Sequence, residues 1–213
     1  MKCIVTAGPT YEELDEVRRL TNFSTGTLGS ELANYLVEKG HKVVLLRGHY
    51  STCQIQSKAQ NVQVFTTTLD LSRRLKALRS DGFGAIFHAA AVSDFTFGKI
   101  WRRTTGNNLS EIKSRKISTK GGTVLAELKP TAKIIGHLRG WFPKARLVGW
   151  KYEVDGSRKD AILRAQQQIK ENQTDACVVN GPAYGKSFGL VEGPGSCRHM
   201  GNKSALFKAL ADF

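Results

Sequence analysis

The apolar positions of this chain fall into short continuous runs and helical stripes that alternate along most of its length. Residues 2–6 (KCIVT) form a β-rich run that ends at Ala7-Gly8-Pro9-Thr10, which predicts a buried strand entering a Gly/Pro loop. After a charged connector over 11–20, Leu32, Ala33, Leu36 and Val37 recur at helical spacing within 30–39, and Gly40 stands where a helix commonly ends in the left-handed conformation. Strands are predicted over 41–46, 62–67 and 84–91, with an amphipathic helix over 69–80 between the last two. The run at 84–91 (GAIFHAAA) is too apolar to face water and delivers Val92-Ser93-Asp94-Phe95 at its carboxyl end.

From 96 to 122 the pattern weakens into a basic, Gly/Ser/Thr-rich stretch, read as a flap or hairpin arm inserted in the domain. The alternation resumes with a strand at 123–128, a helix at 132–141, a strand at 146–150, a helix at 158–172 and a strand at 176–179. Residues 181–201, rich in Gly and Pro, predict loops or a small hairpin before a closing helix at 203–212. Alternating strand and helix predict an α/β fold with a Rossmann-like, doubly wound, mostly parallel sheet carrying the arm. With 213 residues and 40% hydrophobic content, one compact domain over 1–213 is expected.

Composition narrows the class. The first apolar run spans three residues, too short for a signal peptide, and no stretch is long enough for a membrane span, so a cytoplasmic protein with no membrane partner is expected. Cys3, Cys53, Cys177 and Cys197 are far apart with no CxxC, which predicts reduced, structural thiols and no zinc site. The net charge of +14 calls for an anionic partner. The densest basic stretch, 99–120, has no regular aromatic interleaving and no nucleic-acid module is readable, which disfavours nucleic acid as that partner.

Candidate chemistry gathers at the predicted strand ends. Ser24, Gly26 and Gly29 stand at the entrance of the 30–39 helix, where free N–H groups and the helix dipole would meet a phosphate, although glycines there also serve packing. Asp94 follows a buried strand, where it would hold a ligand hydroxyl or a magnesium ion, or act as a turn residue. Lys116 in the basic loop would neutralise phosphate charge or stay solvated. His88 lies inside an apolar strand and is read as a satisfied core histidine. Trp150 and Asn180 end neighbouring predicted strands and should reach the same edge of the sheet. A short-chain nicotinamide reductase shares the βα order, but TAGPT lacks the three-glycine fingerprint and no Tyr-x-x-x-Lys pair occurs. A basic Rossmann-like binding protein without catalysis is the non-enzyme alternative.

Taken together, TAGPT (6–10), VRRLTNFSTGTLG (17–29), AAAVSDF (89–95), RKIST (115–119), WFPKARLVGWKYEVD (141–155) and ACVVNG (176–181) resemble phosphopantothenate-cysteine ligase in its stand-alone form, over nearly the whole chain. The wording NFSTG, SDF, PKA and WKYEVD is closer to eukaryotic-type enzymes, which use ATP, than to the ligase half of bacterial bifunctional enzymes, which use CTP. The resemblance implies a homodimer that activates the carboxylate of 4'-phosphopantothenate with a nucleoside triphosphate and magnesium, then joins it to cysteine in coenzyme A biosynthesis. It implies that Gly8, Ser24, Gly26, Gly29, Trp150 and Asn180 contact the nucleotide, and that Asn22, Ala90, Ala91 and Asp94 line the phosphopantothenate pocket. Asn22 would stabilise the acyl-nucleotide, Arg18 would help hold substrate, and Lys116 would close over the site; no residue would ligate a metal alone. The decarboxylase fused to this ligase in many bacteria is not expected, because the chain begins at the ligase's first strand, and no flavin is expected.

Four departures stand out. Thr27 occupies a position that is often Lys or Arg in the family, and Trp150 replaces the usual Phe. Gly181-Pro182 follows Asn180 where bacterial members tend to show Asp, and Gln166, Gln167 and Gln168 stand near the place of bacterial nucleotide-binding lysines.

Overall fold

The computed structural model describes residues 1–193 and 195–213. Its centre is an eight-stranded sheet in the order β13-β12-β11-β10-β6-β1-β4-β5. Six of these strands run parallel: β1 (Lys2–Ala7), β4 (Lys42–Gly48), β5 (Asn61–Phe65), β6 (Ala85–His88), β10 (Arg146–Tyr152) and β11 (Ala176–Gly181). β12 (Gly185–Gly193) and β13 (Ser196–Met200) extend the β11 edge antiparallel. The hairpin expected in 181–201 is therefore part of the main sheet; Pro194 within it lies outside the described residues.

Helices cover both faces, which is why the parallel strands are apolar on both sides. On one face α1 (Thr27–Glu38) and α5 (Lys203–Ala211) pack on Cys3, Val5, Ala7, Val43, Leu45, Phe87 and Val148. On the other, α2 (Thr68–Ala77) and α3 (Ile135–Trp141) cover Ile4, Leu46, Phe65, Ile86 and Leu147, while α4 (Arg158–Asn172) lays Ala161 and Ala165 on Cys177 and Val179. Local signals set the helix ends. Ser157 and Asp160 form a capping box on α4, and Thr67 and Asn202 cap α2 and α5. At the end of α1, Gly40 takes a φ of 81°, its N–H reaching Val37 O at 2.9 Å and the His41 N–H reaching Leu36 O at 3.0 Å. This paired arrangement satisfies two carbonyls at the helix end and needs the glycine.

Two expectations are corrected. The connector over 11–20 folds into a small hairpin, β2 (Tyr11–Glu13) with β3 (Arg19–Thr21), because Tyr11 and Thr21, Glu12 and Leu20, and Glu13 and Arg19 pair directly. The strand at 123–128 belongs to the arm and not to the central sheet: β9 (Val124–Pro130) pairs antiparallel with β7 (Phe95–Arg103), which also pairs β8 (Leu109–Glu111). β9 has only half-buried and exposed positions, a pattern that suits a solvated two-faced arm and not a strand covered by helices on both sides.

Candidate functional site at the carboxyl edge of the sheet

The strand order places a switch point at β1. The chain leaves β1 toward β4 and β5, then crosses back to β6 on its other side, so the loops after β1 and β6 diverge above the sheet and leave a crevice. The two loops are stitched together at its floor. Ala91 N–H donates to Gly8 O at 3.0 Å, and Thr10 N–H donates to Ala91 O at 3.1 Å. Thr10 Oγ1 accepts from Ser93 N–H at 2.8 Å and lies 3.3 Å from Thr68 Oγ1. Below them Thr6 Oγ1 accepts from Ala90 N–H at 3.0 Å and lies 3.0 Å from His88 Nδ1. Thr6 Oγ1 can either donate to His88 Nδ1 or accept from it, according to which ring nitrogen of the neutral imidazole carries the proton. Burial pushes the His88 pKa down from its usual 6.5 to about 4, as a core histidine requires.

Asn22 follows the β2–β3 hairpin and lies over this crevice. Its Nδ2 donates to Ala91 O at 3.2 Å and Val92 O at 3.4 Å. The structure thus brings Asn22, Ala90 and Ala91 together. Asp94 is exposed on the same rim and pairs with Lys133, from the β9–α3 connection. Nothing in the local sequence marks Lys133; the arm, which joins the two segments, brings it to Asp94.

On the other side of β1, α1 follows Gly26, which has a φ of 76° and offers no side-chain cap; Thr27 N–H donates to Thr25 Oγ1 at 3.3 Å, and the Leu28 and Gly29 N–H groups have no intrahelical partner. A Cβ on Gly26 would come within 2.4 Å of Ser51 Oγ, and one on Gly48 within 2.4 Å of Pro9 O. Gly8, with a φ of 84°, completes this close approach. Ser51 Oγ fixes the site by donating to Thr25 O at 2.7 Å, a role that its position in the irregular stretch between β4 and β5 did not announce. Gly29 also serves packing, since a Cβ there would stand 2.7 Å from the Ala7 Cβ. Ser24 is half-buried on the approach to the helix.

Trp150 and Asn180 both lie on the carboxyl side of the sheet, on the α1 face, with Trp150 packed against the same core as Leu28. Trp150 Nε1–H and Asn180 Oδ1 are buried without a hydrogen-bond partner among the described residues. One unmet donor and one unmet acceptor beside a helix N-terminus are what a polar ligand would satisfy. Gln168 points elsewhere: its amide reaches Cys177 Sγ at 3.2 Å beneath Gly149.

Arg18 and Lys116 sit apart from this cluster. Arg18 donates to Asp15 and to Ile117 O at 2.6 Å, tying the β2–β3 turn to the loop that carries the exposed Lys116. The four cysteines are free, and burial raises the Cys3 and Cys177 thiols to about 11 and about 12, so neither is a nucleophile at neutral pH. Among the described residues, no three His, Cys, Asp or Glu side chains meet to hold a metal, and no helix is long and apolar enough to cross a membrane.

A Rossmann-like α/β fold with a glycine-lined crevice at the switch point defines a class of open α/β domains whose ligand crevice lies at the carboxyl edge of the sheet. Residues 1–193 match the DNA/pantothenate metabolism flavoprotein C-terminal domain, and the chain belongs to that family. It is 31% identical to the coenzyme A biosynthesis bifunctional protein CoaBC of Thermococcus kodakarensis over 90% of this chain, spanning 43% of that protein's length. The crystal structure of the DNA/pantothenate metabolism flavoprotein from Streptococcus pneumoniae superposes with a TM-score of 0.86 at 26% identity, covering 100% of this chain and 97% of that one. A Cab2 mutant in complex with phosphopantothenate-cysteine shares the fold, with a TM-score of 0.75 at 18% identity over 99% of this chain and 86% of its own.

Proposed function

We propose that the chain is the ligase that joins 4'-phosphopantothenate to cysteine through an acyl-nucleotide, using ATP or CTP, in coenzyme A biosynthesis in the cytoplasm. The observation that carries this reading is the docking of Asn22 onto the Ala91 and Val92 carbonyls at the switch point, 3.2 and 3.4 Å away, within a chain of this family. The amide is exposed over the crevice floor, and its two donors, exchanged from these long bonds when substrate binds, would serve a carboxylate and the acyl-nucleotide formed from it. No proton transfer is needed for that role.

In this reading the triphosphate lies along the uncapped start of α1, over Gly8, Ser24, Gly26 and Gly29, where N–H groups and the helix dipole favour phosphate. Trp150 and Asn180 supply the donor and acceptor for its nucleoside end. Phosphopantothenate occupies the other half of the crevice, beside Asn22, Ala90, Ala91 and Asp94, and Arg18, whose Nε and Nη2 are held by Asp15 and Ile117, would help to hold it through Nη1 and its positive charge. The carboxylate attacks the α-phosphorus and expels pyrophosphate; the cysteine amine then attacks the acyl carbon and expels the nucleotide. Lys116 would bring positive charge over the phosphates as the loop closes. Among the described residues no three His, Cys, Asp or Glu side chains meet, so magnesium would arrive on the triphosphate's oxygens. The flavin chemistry named in the family's description has no part in these steps.

A homodimer belongs to the same reading: Phe23, next to Asn22, is 106% exposed, an aromatic side chain that a second copy would cover, and the arm from 95 to 130 is the natural dimerisation element. Sedimentation velocity of the wild type and of Phe23→Ser tests the dimer, which requires the wild type to sediment as a dimer.

The deciding experiment is pyrophosphate release by the purified protein with 4'-phosphopantothenate, magnesium and cysteine, in parallel with ATP and CTP. Release that depends on phosphopantothenate is expected with one triphosphate; no release with either refutes the ligase.

A further inference from the structure

Asp15 lies in the turn between β2 and β3, and its side chain is only 3% exposed. One carboxylate oxygen serves the turn: Oδ1 accepts from Val17 N–H at 3.0 Å and Arg18 N–H at 2.8 Å. The other reaches out of it. Oδ2 accepts from Arg18 Nε at 3.1 Å and Nη2 at 2.5 Å, and from the Ile117 N–H at 3.1 Å, about a hundred residues further along the chain. Arg18 Nη2 closes the ring by donating to Ile117 O at 2.6 Å. Both backbone groups of Ile117 are therefore satisfied by one pair, the buried Asp15 carboxylate and the half-exposed Arg18 guanidinium. Two residues earlier, Arg115 O accepts from Glu16 N–H at 3.0 Å. Lys116 sits between these two attachments with its side chain exposed, in a stretch between β8 and β9 that forms no strand or helix of its own. Ile117 is buried and, with Leu14, Arg18 and Phe97, lines a cleft of about 370 Å³ between the hairpin and the arm.

We propose that Asp15 is a positioning residue for the reaction: it registers the 113–119 loop on the tip of the β2–β3 hairpin and so sets where Lys116 stands relative to Asn22, which the same hairpin carries at its other end. The inference rests on the ligase reading for the role of Lys116, but the latch itself does not. An ordinary turn aspartate would use only the bonds at Oδ1. The bonds at Oδ2 cross between elements distant in sequence, and burying a carboxylate for them is costly without that partner set. Burial pushes the Asp15 pKa up, yet the bonds from Ile117, Arg18 and Val17 outweigh it and hold the carboxyl well below the usual range, so the latch is charged at any physiological pH.

Asp15→Asn separates the two halves of the carboxylate. The amide oxygen can keep the turn, while the NH2 group turns donors against the Ile117 N–H and the guanidinium. Three variants, Asp15→Asn, Lys116→Ala and the double variant, are compared with wild type by limited trypsin digestion and by pyrophosphate release. Asp15→Asn is expected to unfold as cooperatively as wild type but to be cut after Lys113, Arg115 and Lys116 at least roughly tenfold faster, the factor that a charge-assisted hydrogen bond carries. Its kcat should fall by as much as that of Lys116→Ala with little change in KM for phosphopantothenate, and the double variant should be no slower than Lys116→Ala. Cleavage at the wild-type rate, or losses that multiply in the double variant, would overturn the proposal. Should Asp15→Asn not fold, Asp15→Ala, which removes the acceptors without opposing donors, decides in the same way. If wild type releases no phosphopantothenate-dependent pyrophosphate, the ligase reading falls while the digestion still decides the latch.

Discussion

Asn22 and Ala91, sixty-nine residues apart, meet where the loops after β3 and β6 cross, with Asn22 Nδ2 3.2 Å from the Ala91 carbonyl oxygen. Because the Asn22 side chain is exposed and its two bonds are long, it contributes little to the fold. Asn22→Ala should change unfolding free energy by no more than about 0.5 kcal/mol, as for other exposed positions. Its kcat for pyrophosphate release should fall by roughly 10²–10³, the loss typical of removing one donor to a developing charge. Urea unfolding and steady-state kinetics on the same preparation check both halves. Loss of cooperative unfolding would make Asn22 a structural residue.

Gly26 combines a φ of 76° with a missing Cβ that would otherwise stand 2.4 Å from Ser51 Oγ. Gly26→Ala should destabilise by about 1–3 kcal/mol through backbone strain alone, and more through the contact. Measured against Ser51→Gly alone, which loses the bond to Thr25 O, Gly26→Ala/Ser51→Gly should show only the strain, the contact being gone. Denaturant midpoints of wild type and the three variants separate the terms, and an equal loss from Gly26→Ala in both backgrounds would show that the contact relaxes freely.

His88 gives stability a pH dependence. Its folded pKa, about 4, lies below the ordinary 6.5, so the unfolded chain binds the extra proton first. The contribution is fully present above pH 6.5 and is lost progressively as the pH falls toward about 4, on the order of 3 kcal/mol across that window. His88→Gln should flatten this slope. Urea titrations at steps from pH 4 to 7 measure it, and an unchanged slope would assign the dependence to another group.

Trp150 presents a buried indole N–H with no hydrogen-bond partner among the described residues. Trp150→Phe removes that unmet donor and should cost no more than about 1 kcal/mol, the lost volume being partly offset by the removed polar group. If the N–H meets the nucleotide, KM for the triphosphate should rise by about three- to tenfold, while KM for phosphopantothenate stays constant. A uniform rise in both would mean that the ring shapes the crevice as a whole.

The sequence by itself determined the alternating elements, since continuous apolar runs and 3.6-residue stripes report burial locally. The helix ends at Gly40 and over 158–172 followed from the same local chemistry. It also marked Gly26 at the entrance of a predicted helix and Asp94 past a buried strand, while Gly8 and Asn22 were singled out only by the resemblance of their motifs to the ligase family. What only the tertiary structure decided were relationships that no local window contains. The β-run at 124–130 joined the arm because its pairing partner, β7, lies some thirty residues upstream, and periodicity does not record a partner. Ser51 holds the Thr25 carbonyl, Lys133 meets Asp94, and Asp15 captures the Ile117 N–H, each a side chain reaching a group 26 to 102 residues away. Those contacts depend on where the sheet brings its loops together, and strand order, which fixes that, is set by long-range packing and not by the spacing of residues along the chain.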